Sequence, residues 1–316
     1  MSIPKKGLFV VGELNVDLIF NQINGFPQLG TEIVANDMVL TLGSSSAILA
    51  ANAAAIGIPT AFCGAVGHDA YGDLVIRELQ AQGVNTDFIR ISEEHSTGIT
   101  VVMNYEQERA NVTYCGAMEA LRMPDIPWEH IARFKHFHIS NFFLQKGIRA
   151  DITEIFQRVK AAGLTTSLDL QWDVSNRWEF DFRACLPHVD VFLPNEAEML
   201  ALAQCDNLEA SIEQLAPYTN IMAIKLGQQG SLGIQGGNRF RVKAFELPDY
   251  VDSVGAGDSF NAGFLKKFLE NAPLETCLKF GNLMGALNTT AAGGTTAFRC
   301  GLGIEHQIKR LLPNGC

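Results

Sequence analysis

The chain has 316 residues, of which 47% are hydrophobic and 18% charged, so it has the composition of an ordinary globular protein and is too apolar to be disordered. Its net charge of -10 argues against a nucleic-acid partner, because proteins that bind phosphate backbones carry a dense basic face. The apolar run near the N-terminus, residues 8–11, is too short for a signal-peptide core or a membrane span, so we expect a cytoplasmic protein without a membrane partner.

Short apolar runs bounded by turn residues predict strands along the chain, at residues 8–11, 60–65, 137–140, 165–170, 189–193 and 221–226. Helical patterns separate most of them, at residues 44–56, 69–82 and 149–162, each followed by a glycine. This alternation predicts an α/β fold with a mostly parallel central sheet and helices on both faces.

Two stretches, at about residues 16–40 and 99–115, interrupt the alternation with short segments typical of hairpin strands. Both flank regions that must return to the main sheet. We therefore predict a single domain over residues 1–316, with one small β-sheet lid made from the two excursions.

Cysteine and histidine positions give no clear metal or disulfide pattern. The seven cysteines are not close to one another in sequence, so we expect buried thiols. His136 and His138 share one face of a predicted strand, a spacing that could suit a metal, but without a further ligand nearby we expect them to pack in the core.

The most informative segment, residues 252–258, reads Asp-Ser-Val-Gly-Ala-Gly-Asp and precedes an amphipathic helical pattern. Small residues at Gly255, Ala256 and Gly257 let backbone N–H groups approach a ligand, and a helix N-terminus favours an anion, so a phosphate fits here. A carboxylate beside that anion needs a task, and accepting the proton of an attacking hydroxyl is the natural one for Asp258. The alternative is that Asp258 only caps the helix.

Three further segments have ordinary structural explanations, and the first two of them also fit a ligand. Asn195 and Glu198 lie on one side of a helical first turn, which suits Mg²⁺ through water, although the local sequence by itself favours a capping box. Residues 225–231 fit either a hairpin turn or a nucleotide loop, and Asp69 in residues 67–72 fits a helix cap. There is no Gly-x-x-x-x-Gly-Lys-Ser/Thr loop, and residues 12–15 are not a Gly-x-Gly-x-x-Gly turn, so P-loop NTPases and simple Rossmann dehydrogenases do not fit.

In this order, the segments resemble the PfkB carbohydrate kinases, the ribokinase-like family, over nearly the whole chain. Residues 12–17 resemble the family's opening strand, whose aspartate, Asp17 here, contacts sugar hydroxyls. Residues 252–263 are similar to the second family signature, which implies an anion hole at Gly255 to Gly257 and a catalytic base at Asp258.

The resemblance implies the remaining parts of an ATP-dependent kinase. Cofactor and metal roles fall on Asn195 and Glu198 near Mg²⁺ and phosphate, on Lys225, Gly227 and Gly230 in a nucleotide loop, on Asn282, and on Asp252 near a K⁺ ion. It also implies a homodimer formed through the lids.

The first family signature departs from the pattern, since Gly43 is followed by Ser44 in place of a second glycine and Ile48 replaces a substrate-binding asparagine. Gly43 and Ser44 remain the candidates for substrate contact. An isoleucine cannot hydrogen-bond to a substrate, which leaves a simple sugar, a keto-deoxy sugar acid and a nucleoside open as acceptors.

Other residues fit an acceptor site, each with an ordinary alternative. Arg109 would suit a sugar acid or lie on the surface, and Asp169, Gln171 and Trp172, which end a predicted strand, would contact substrate or cap a loop. A non-catalytic ligand-binding protein is the rival function, and retention of Asp258 argues against it.

Overall fold

The computed structural model describes residues 7–105 and 109–299, together with residues 304 and 308, and contains two sheets. Its strands are β1 (Leu8–Val11), β2 (Asn15–Ile23), β3 (Ala35–Leu42), β4 (Thr60–Gly67), β5 (Asn85–Ser92), β6 (Gly98–Asn104), β7 (Arg109–Tyr114), β8 (His136–Ser140), β9 (Thr165–Asp169), β10 (Val191–Phe192), β11 (Ile221–Lys225), β12 (Ser231–Gln235) and β13 (Asn238–Val242). Its α-helices are α1 (Ser45–Ala55), α2 (Ala70–Ala81), α3 (Trp128–Ile131), α4 (Ile152–Ala161), α5 (Phe182–Cys185), α6 (Glu196–Ala203), α7 (Leu208–Leu215), α8 (Ala256–Leu269) and α9 (Leu274–Asn288).

The large sheet has nine strands in the order β13-β12-β11-β10-β9-β8-β1-β4-β5. All neighbours from β11 to β5 pair in parallel, while β12 and β13 are antiparallel additions at one edge. The carboxyl ends of the parallel strands therefore lie side by side along the border of the sheet that runs across the strands. Open α/β sheets bind their ligands there, and we call this border the ligand-binding edge.

Apolar side chains cover both faces of this sheet. In β1, Phe9 and Val11 pack into one buried cluster, whereas Leu8 and Val10 pack into another on the opposite face. A strand that is buried on both faces reads as a continuous apolar run, which is why β1 was recognisable from sequence. The predicted fold class is confirmed.

The small sheet has four strands in the order β3-β2-β6-β7. β2 pairs in parallel with β6, and the two outer pairings are antiparallel. Its strands come from the two parts of the chain where sequence predicted excursions from the main sheet. The sheet begins directly after β1, through Gly12 and Glu13, so its base adjoins the ligand-binding edge of the large sheet.

Some boundaries differ from the predicted ones. The helix expected over 149–162 is α4, Ile152–Ala161, preceded by a single 3-10 turn at Arg149–Asp151. An α-helix beginning at Arg149 would need a cap at Ile148, whose apolar side chain cannot accept a hydrogen bond. β5 was not predicted, since an edge strand with one exposed face lacks a continuous apolar run. The cap expected at Asp69 is present, and Ser44 caps α1 in the same way.

His136 and His138 are fully buried between β8 and β9, as expected for core residues. Each ring nitrogen lies within hydrogen-bonding distance of a hydroxyl: His136 contacts Thr165 and Ser167, and His138 contacts Ser167 and Ser140. Burial, reinforced by nearby positive charge, lowers the pKa of each imidazole to about 3, so both rings are neutral near pH 7.

Candidate active site

Helix α8 begins at the ligand-binding edge with the segment that sequence singled out. Gly255 is its N-cap, with φ 74°, and a Cβ there would lie only 2.6 Å from Gly294 Cα, so both its conformation and its close packing require glycine. No side chain caps this helix end. Asp258 is the third residue of the helix and lies within its first turn, so the alternative that it serves as the N-cap is wrong.

The carboxyl group of Asp258 is nearly inaccessible, with 7% of the residue exposed. Burial, followed by repulsion from Asp169, raises its pKa well above the usual value, while Lys225 opposes that rise. Gln171 Nε2 donates to Asp258 Oδ1 at 3.2 Å. A carboxylate held at a helix N-terminus with a raised proton affinity is equipped to accept a proton.

Beside Asp258 lies a buried ion pair between strands β11 and β9. Lys225 Nζ donates to Asp169 Oδ2 at 2.6 Å, and Asn261 of α8 donates to the same oxygen. Burial disfavours the Lys225 ammonium, but the charges of Asp169 and Glu198 outweigh it and raise the pKa of Lys225. Lys225 is therefore charged. It lies next to residues 252–257, here called the phosphate loop: a Cβ on Gly257 would be 3.7 Å from Nζ.

Asn195 and Glu198 form a complete capping box at the start of α6. Asn195 Oδ1 accepts from Glu198 N at 2.9 Å, and Glu198 Oε2 accepts from Asn195 N at 2.9 Å. Burial and the charge of Asp169 raise the pKa of Glu198 to about 7. The capping interpretation is thus confirmed. An isolated parallel β-bridge pairs the backbones of Asn195 and Lys225, so Asn195 and Glu198 also lie close to the buried ion pair.

Residues 225–231 form the hairpin turn between β11 and β12. Gly230 adopts φ 89°, and a Cβ there would overlap the carbonyl oxygen of Val242, so this turn requires glycine. Gly227, which also has a positive φ, has open space around its Cα. The turn ends at the same edge as the phosphate loop, which leaves the nucleotide interpretation available.

Two of the residues predicted to contact ligands, Asn282 and Asp252, make hydrogen bonds to the backbone that join distant segments of the fold. Asn282 Nδ2 donates to the carbonyl oxygens of Val242 and Lys243, both at 3.1 Å, and so fastens α9 to the chain after β13. Asp252 accepts from Val254 N and from Gly293 N, both at 2.9 Å, and so joins the phosphate loop to the segment after α9.

On the acceptor side, Asp17 of β2 packs over Gly43, where a Cβ would overlap its carboxylate. Asn15 Nδ2 donates to Asp17 Oδ1 at 3.2 Å and to Thr100 Oγ1 at 2.8 Å. Asn15 Oδ1 and Thr41 Oγ1 are buried and have no hydrogen-bond partner among the residues that the structure describes. The predicted residues Asp17 and Gly43 are therefore brought together.

Ser44 adopts a glycine-like φ of 69°, which explains why the family pattern has glycine at this position and means that the serine here is strained. Its hydroxyl donates to Glu13 O at 2.6 Å and accepts from Ala47 N, so the hydroxyl is occupied within the fold. Ile48, one turn further along α1, packs against Gly294 and Gly255, which places an apolar side chain directly behind the phosphate loop.

Sequence reasoning missed two buried polar residues. Glu13, at the carboxyl end of β1, accepts hydrogen bonds from Ser45 and from Asn141, and burial raises its pKa. Asn261, one turn after Asp258, bonds to Asp169. The position of Glu13 directly after a buried strand was a usable signal, because ligand-site residues gather at the carboxyl ends of parallel strands.

Known proteins resemble this chain over most of its length. A model of the pfkB family carbohydrate kinases matches residues 5–299. The chain belongs to the PfkB family. Within that family, the ATP-dependent ribose-1-phosphate kinase of Halopiger xanaduensis is 28% identical to this PfkB protein, over 90% of this chain and 93% of that one.

Solved structures of the same fold superpose along almost the whole length. Ribokinase from Arabidopsis thaliana, complexed with ribose and ATP, has a TM-score of 0.83 and 25% identity and covers 95% of this chain and 98% of its own. Adenosine kinase from Sinorhizobium meliloti has a TM-score of 0.82 and 26% identity, with 96% and 99% covered.

Family membership confirms the predicted activity class, a carbohydrate kinase that transfers a phosphoryl group from ATP to a hydroxyl group. In the described part of the chain, no helix is both long enough and apolar enough to cross a membrane.

Proposed function

We propose that Asp258 is the general base of this PfkB kinase and accepts the proton of a sugar-like acceptor hydroxyl as that hydroxyl attacks the γ-phosphoryl group of ATP. The observation that carries this proposal is the buried carboxylate of Asp258 at the start of α8, beside the phosphate loop. In phosphoryl transfer the hydroxyl loses its proton late, so a well-placed carboxylate suffices as base. Its raised pKa strengthens it as a proton acceptor.

The N–H groups at Gly255, Ala256 and Gly257 stabilise the negative charge that builds up on the transferring phosphoryl group. No side chain caps these amides, although Ala256 N donates to Ser253 O at 3.2 Å, and the helix dipole adds to their effect. The Lys225 ammonium, next to Gly257, supplies a full positive charge on the same side. In this proposal Lys225, Gly227, Gly230 and Asn195 receive the nucleotide phosphates, and Asn282 holds the wall of that site.

The residues around Glu198 fit a Mg²⁺ ion that arrives with ATP. Among the described residues, no group of three acidic, histidine or cysteine side chains could hold a metal alone. Both Glu198 oxygens already accept from Asn195, so Glu198 and Asn195 would hold the ion through water, the usual habit of Mg²⁺. When bound, Mg²⁺ neutralises phosphate charge. Each Asp252 oxygen also keeps a lone pair for the K⁺ ion that the resemblance implies.

The acceptor belongs between the small sheet and the start of α1. Asp17 fixes hydroxyl groups there, and the buried, unpartnered Asn15 Oδ1 and Thr41 Oγ1 are suited to accept from others. Gly43 leaves room for the Asp17 carboxylate. A simple sugar is the proposed acceptor class, since the relatives act on ribose phosphate and bind ribose. A nucleoside is the second candidate, because adenosine kinase has the same fold at similar similarity.

The small sheet is proposed to act as a lid that excludes water during transfer, within a single domain. Its exposed surface carries large apolar side chains: Met38 is 55% exposed, Val112 62% and Tyr114 54%. Such a surface favours pairing of two lids in a homodimer. A cytoplasmic location belongs to the same proposal.

The deciding experiment measures ATP consumption with Mg²⁺ across sugars, sugar acids and nucleosides, for the wild type, Asp258→Asn and the exposed control Asp249→Asn. We expect acceptor-dependent turnover that falls about 10²- to 10⁴-fold in Asp258→Asn, the usual contribution of a general base, and is unchanged in Asp249→Asn. Turnover that survives in Asp258→Asn would remove Asp258 as the base. Saturable acceptor binding without turnover in the wild type would favour a non-catalytic binding protein.

A further inference from the structure

Gln171, directly after β9, has an unusual backbone conformation for a residue with a large side chain. Its φ is 59°, in the left-handed region that favours glycine. Residues held in such conformations persist only where the surrounding structure enforces them, and they concentrate at functional sites. The conformation of Gln171 therefore points to a function for this residue or its side chain.

The loop that follows Gln171 is strongly braced. The buried Asp173 carboxylate accepts from Ser175 N, Arg177 N and Trp178 N and from the Ser175 hydroxyl. Trp178 then packs edge-on against Phe143 at 5.2 Å. These contacts fix the loop over residues 173–178, and with it the direction in which the chain leaves β9, so the strained conformation at Gln171 is enforced by its neighbours.

The conformation places the Gln171 amide between two carboxylates. Nε2 donates to Asp169 Oδ2 and to Asp258 Oδ1, both at 3.2 Å. Because both partners are acceptors, the amide must present its NH₂ group to them, and its two N–H bonds are both used. Asp169 is itself fixed by Lys225 and Asn261, so it is a firm anchor for the amide.

We propose that Gln171 is a positioning residue for Asp258: its amide holds Oδ1 so that Oδ2 is left to face the acceptor hydroxyl. The inference rests on the role proposed above for Asp258. The donated hydrogen bond also stabilises the ionised form of Asp258, the form that can accept a proton. The same contact keeps the two carboxylates bridged by donor hydrogens, which reduces their mutual repulsion.

The test uses two variants of the same loop. Gln171→Gly removes the amide and is compatible with φ 59°, so it should fold at least as well as the wild type. Asn176→Gly is the matched control, because Asn176 has φ 53° and an exposed side chain. Any effect of relaxing this loop should appear in both variants, whereas loss of the Gln171 amide appears only in the first.

In Gln171→Gly we expect kcat to fall about 10- to 100-fold, because small misplacements of a reacting group have effects of this size, while KM for ATP changes less than about 2-fold. The acid limb of the kcat/KM pH profile should move to higher pH, since the ionised base loses a donor. Asn176→Gly should match the wild type in all three quantities. A Gln171→Gly enzyme whose kcat and acid limb equal those of Asn176→Gly would overturn the inference.

A second readout does not depend on turnover. The ¹³C signal of the Asp258 carboxyl, assigned by its absence in Asp258→Asn, is titrated by NMR in the wild type and in Gln171→Gly. The other ionisable groups that face Asp258, namely Asp169, Lys225, Glu13 and Glu198, are the same in both proteins. We expect a higher titration midpoint in Gln171→Gly.

The two proposals can fail separately. An unchanged midpoint overturns the positioning role, whatever the activity. A raised midpoint in a protein whose wild type shows no turnover with any acceptor overturns Asp258 as a kinase base and leaves the coupling of Gln171 to Asp258 supported.

Discussion

Lys225 and Asp169 form an ion pair, 2.6 Å between Nζ and Oδ2, that is buried beside the phosphate loop. Their side chains are only 11% and 0% exposed. Water therefore cannot compensate either charge if its partner is lost. This pair holds a lysine in the charged form at the place where the transferred phosphoryl group is proposed to bind.

We expect Lys225→Met to lower the free energy of unfolding by about 3–5 kcal/mol, because it leaves Asp169 buried and uncompensated. Urea unfolding measures the change. The control is Arg239→Met, which breaks an exposed pair with Glu209 and should cost less than about 1 kcal/mol. Adding Asp169→Asn to Lys225→Met should recover part of the loss, since the unpaired charge is gone. Equal losses in Lys225→Met and Arg239→Met would contradict the buried-pair argument.

How far the sequence could predict this site depends on the distance between partners along the chain. Gly255 and Asp258 were recognisable because the phosphate loop and its helix are local in sequence. The partner of Lys225 was not, since Asp169 lies 56 residues earlier and the two meet only because β9, β10 and β11 are adjacent in the sheet. Asn195 and Glu198 gave two compatible interpretations, and only the coordinates show the complete capping box.

Backbone strain was also beyond the sequence. Glutamine does not favour a positive φ, so nothing at Gln171 indicated its glycine-like conformation, and at Ser44 the only signal was the glycine that the family pattern has there. Ser44 is held by a contact distant in sequence, the hydrogen bond from its hydroxyl to Glu13 O, whereas Gln171 is held by the braced loop over residues 173–178.

Asp258→Asn should be more stable than the wild type at neutral and alkaline pH. The native state keeps the proton of Asp258 at pH values where the unfolded chain, with a pKa near 3.8, has lost it. The contribution of Asp258 to the wild-type free energy of unfolding therefore falls as pH rises from its unfolded pKa to its folded one, by about 1.4 kcal/mol for each unit between them. Asparagine carries no charge and avoids this loss. Urea unfolding at pH 4 and pH 8 should show the advantage of the variant only at the higher pH, and Asp249→Asn should show none.

Substitutions at Ser44 should separate capping from strain. Ser44→Ala keeps the positive φ and loses the cap, so we expect a loss of about 1–2 kcal/mol. Ser44→Gly also loses the cap, which costs only about a few tenths of a kcal/mol with glycine, but it relieves about 1 kcal/mol of backbone strain. The stability of this variant should therefore equal or exceed that of the wild type. At Asn207, a cap with an ordinary φ of -144°, glycine brings no relief and should be slightly destabilising. If Ser44→Ala and Ser44→Gly lower the free energy of unfolding equally, the backbone of Ser44 is not strained.

The buried histidine pair should contribute acid sensitivity between about pH 6.5 and 5, opposite in sign to the contribution of Asp258. His136 and His138 stay neutral in the native state, where the pKa of each is lowered to about 3, whereas in the unfolded chain they bind protons with a pKa near 6.5. The unfolded state then holds more protons, so the free energy of unfolding falls as pH falls, by up to about 1.4 kcal/mol per pH unit for each histidine. Urea unfolding at pH 7, 6 and 5 measures the slope. Replacing either histidine with glutamine should remove about half of the contribution that the pair makes to this slope. His68→Gln, at an exposed site, should leave the slope unchanged. A slope that is the same in all four proteins would mean that these two imidazoles titrate in the folded state as they do in the unfolded chain.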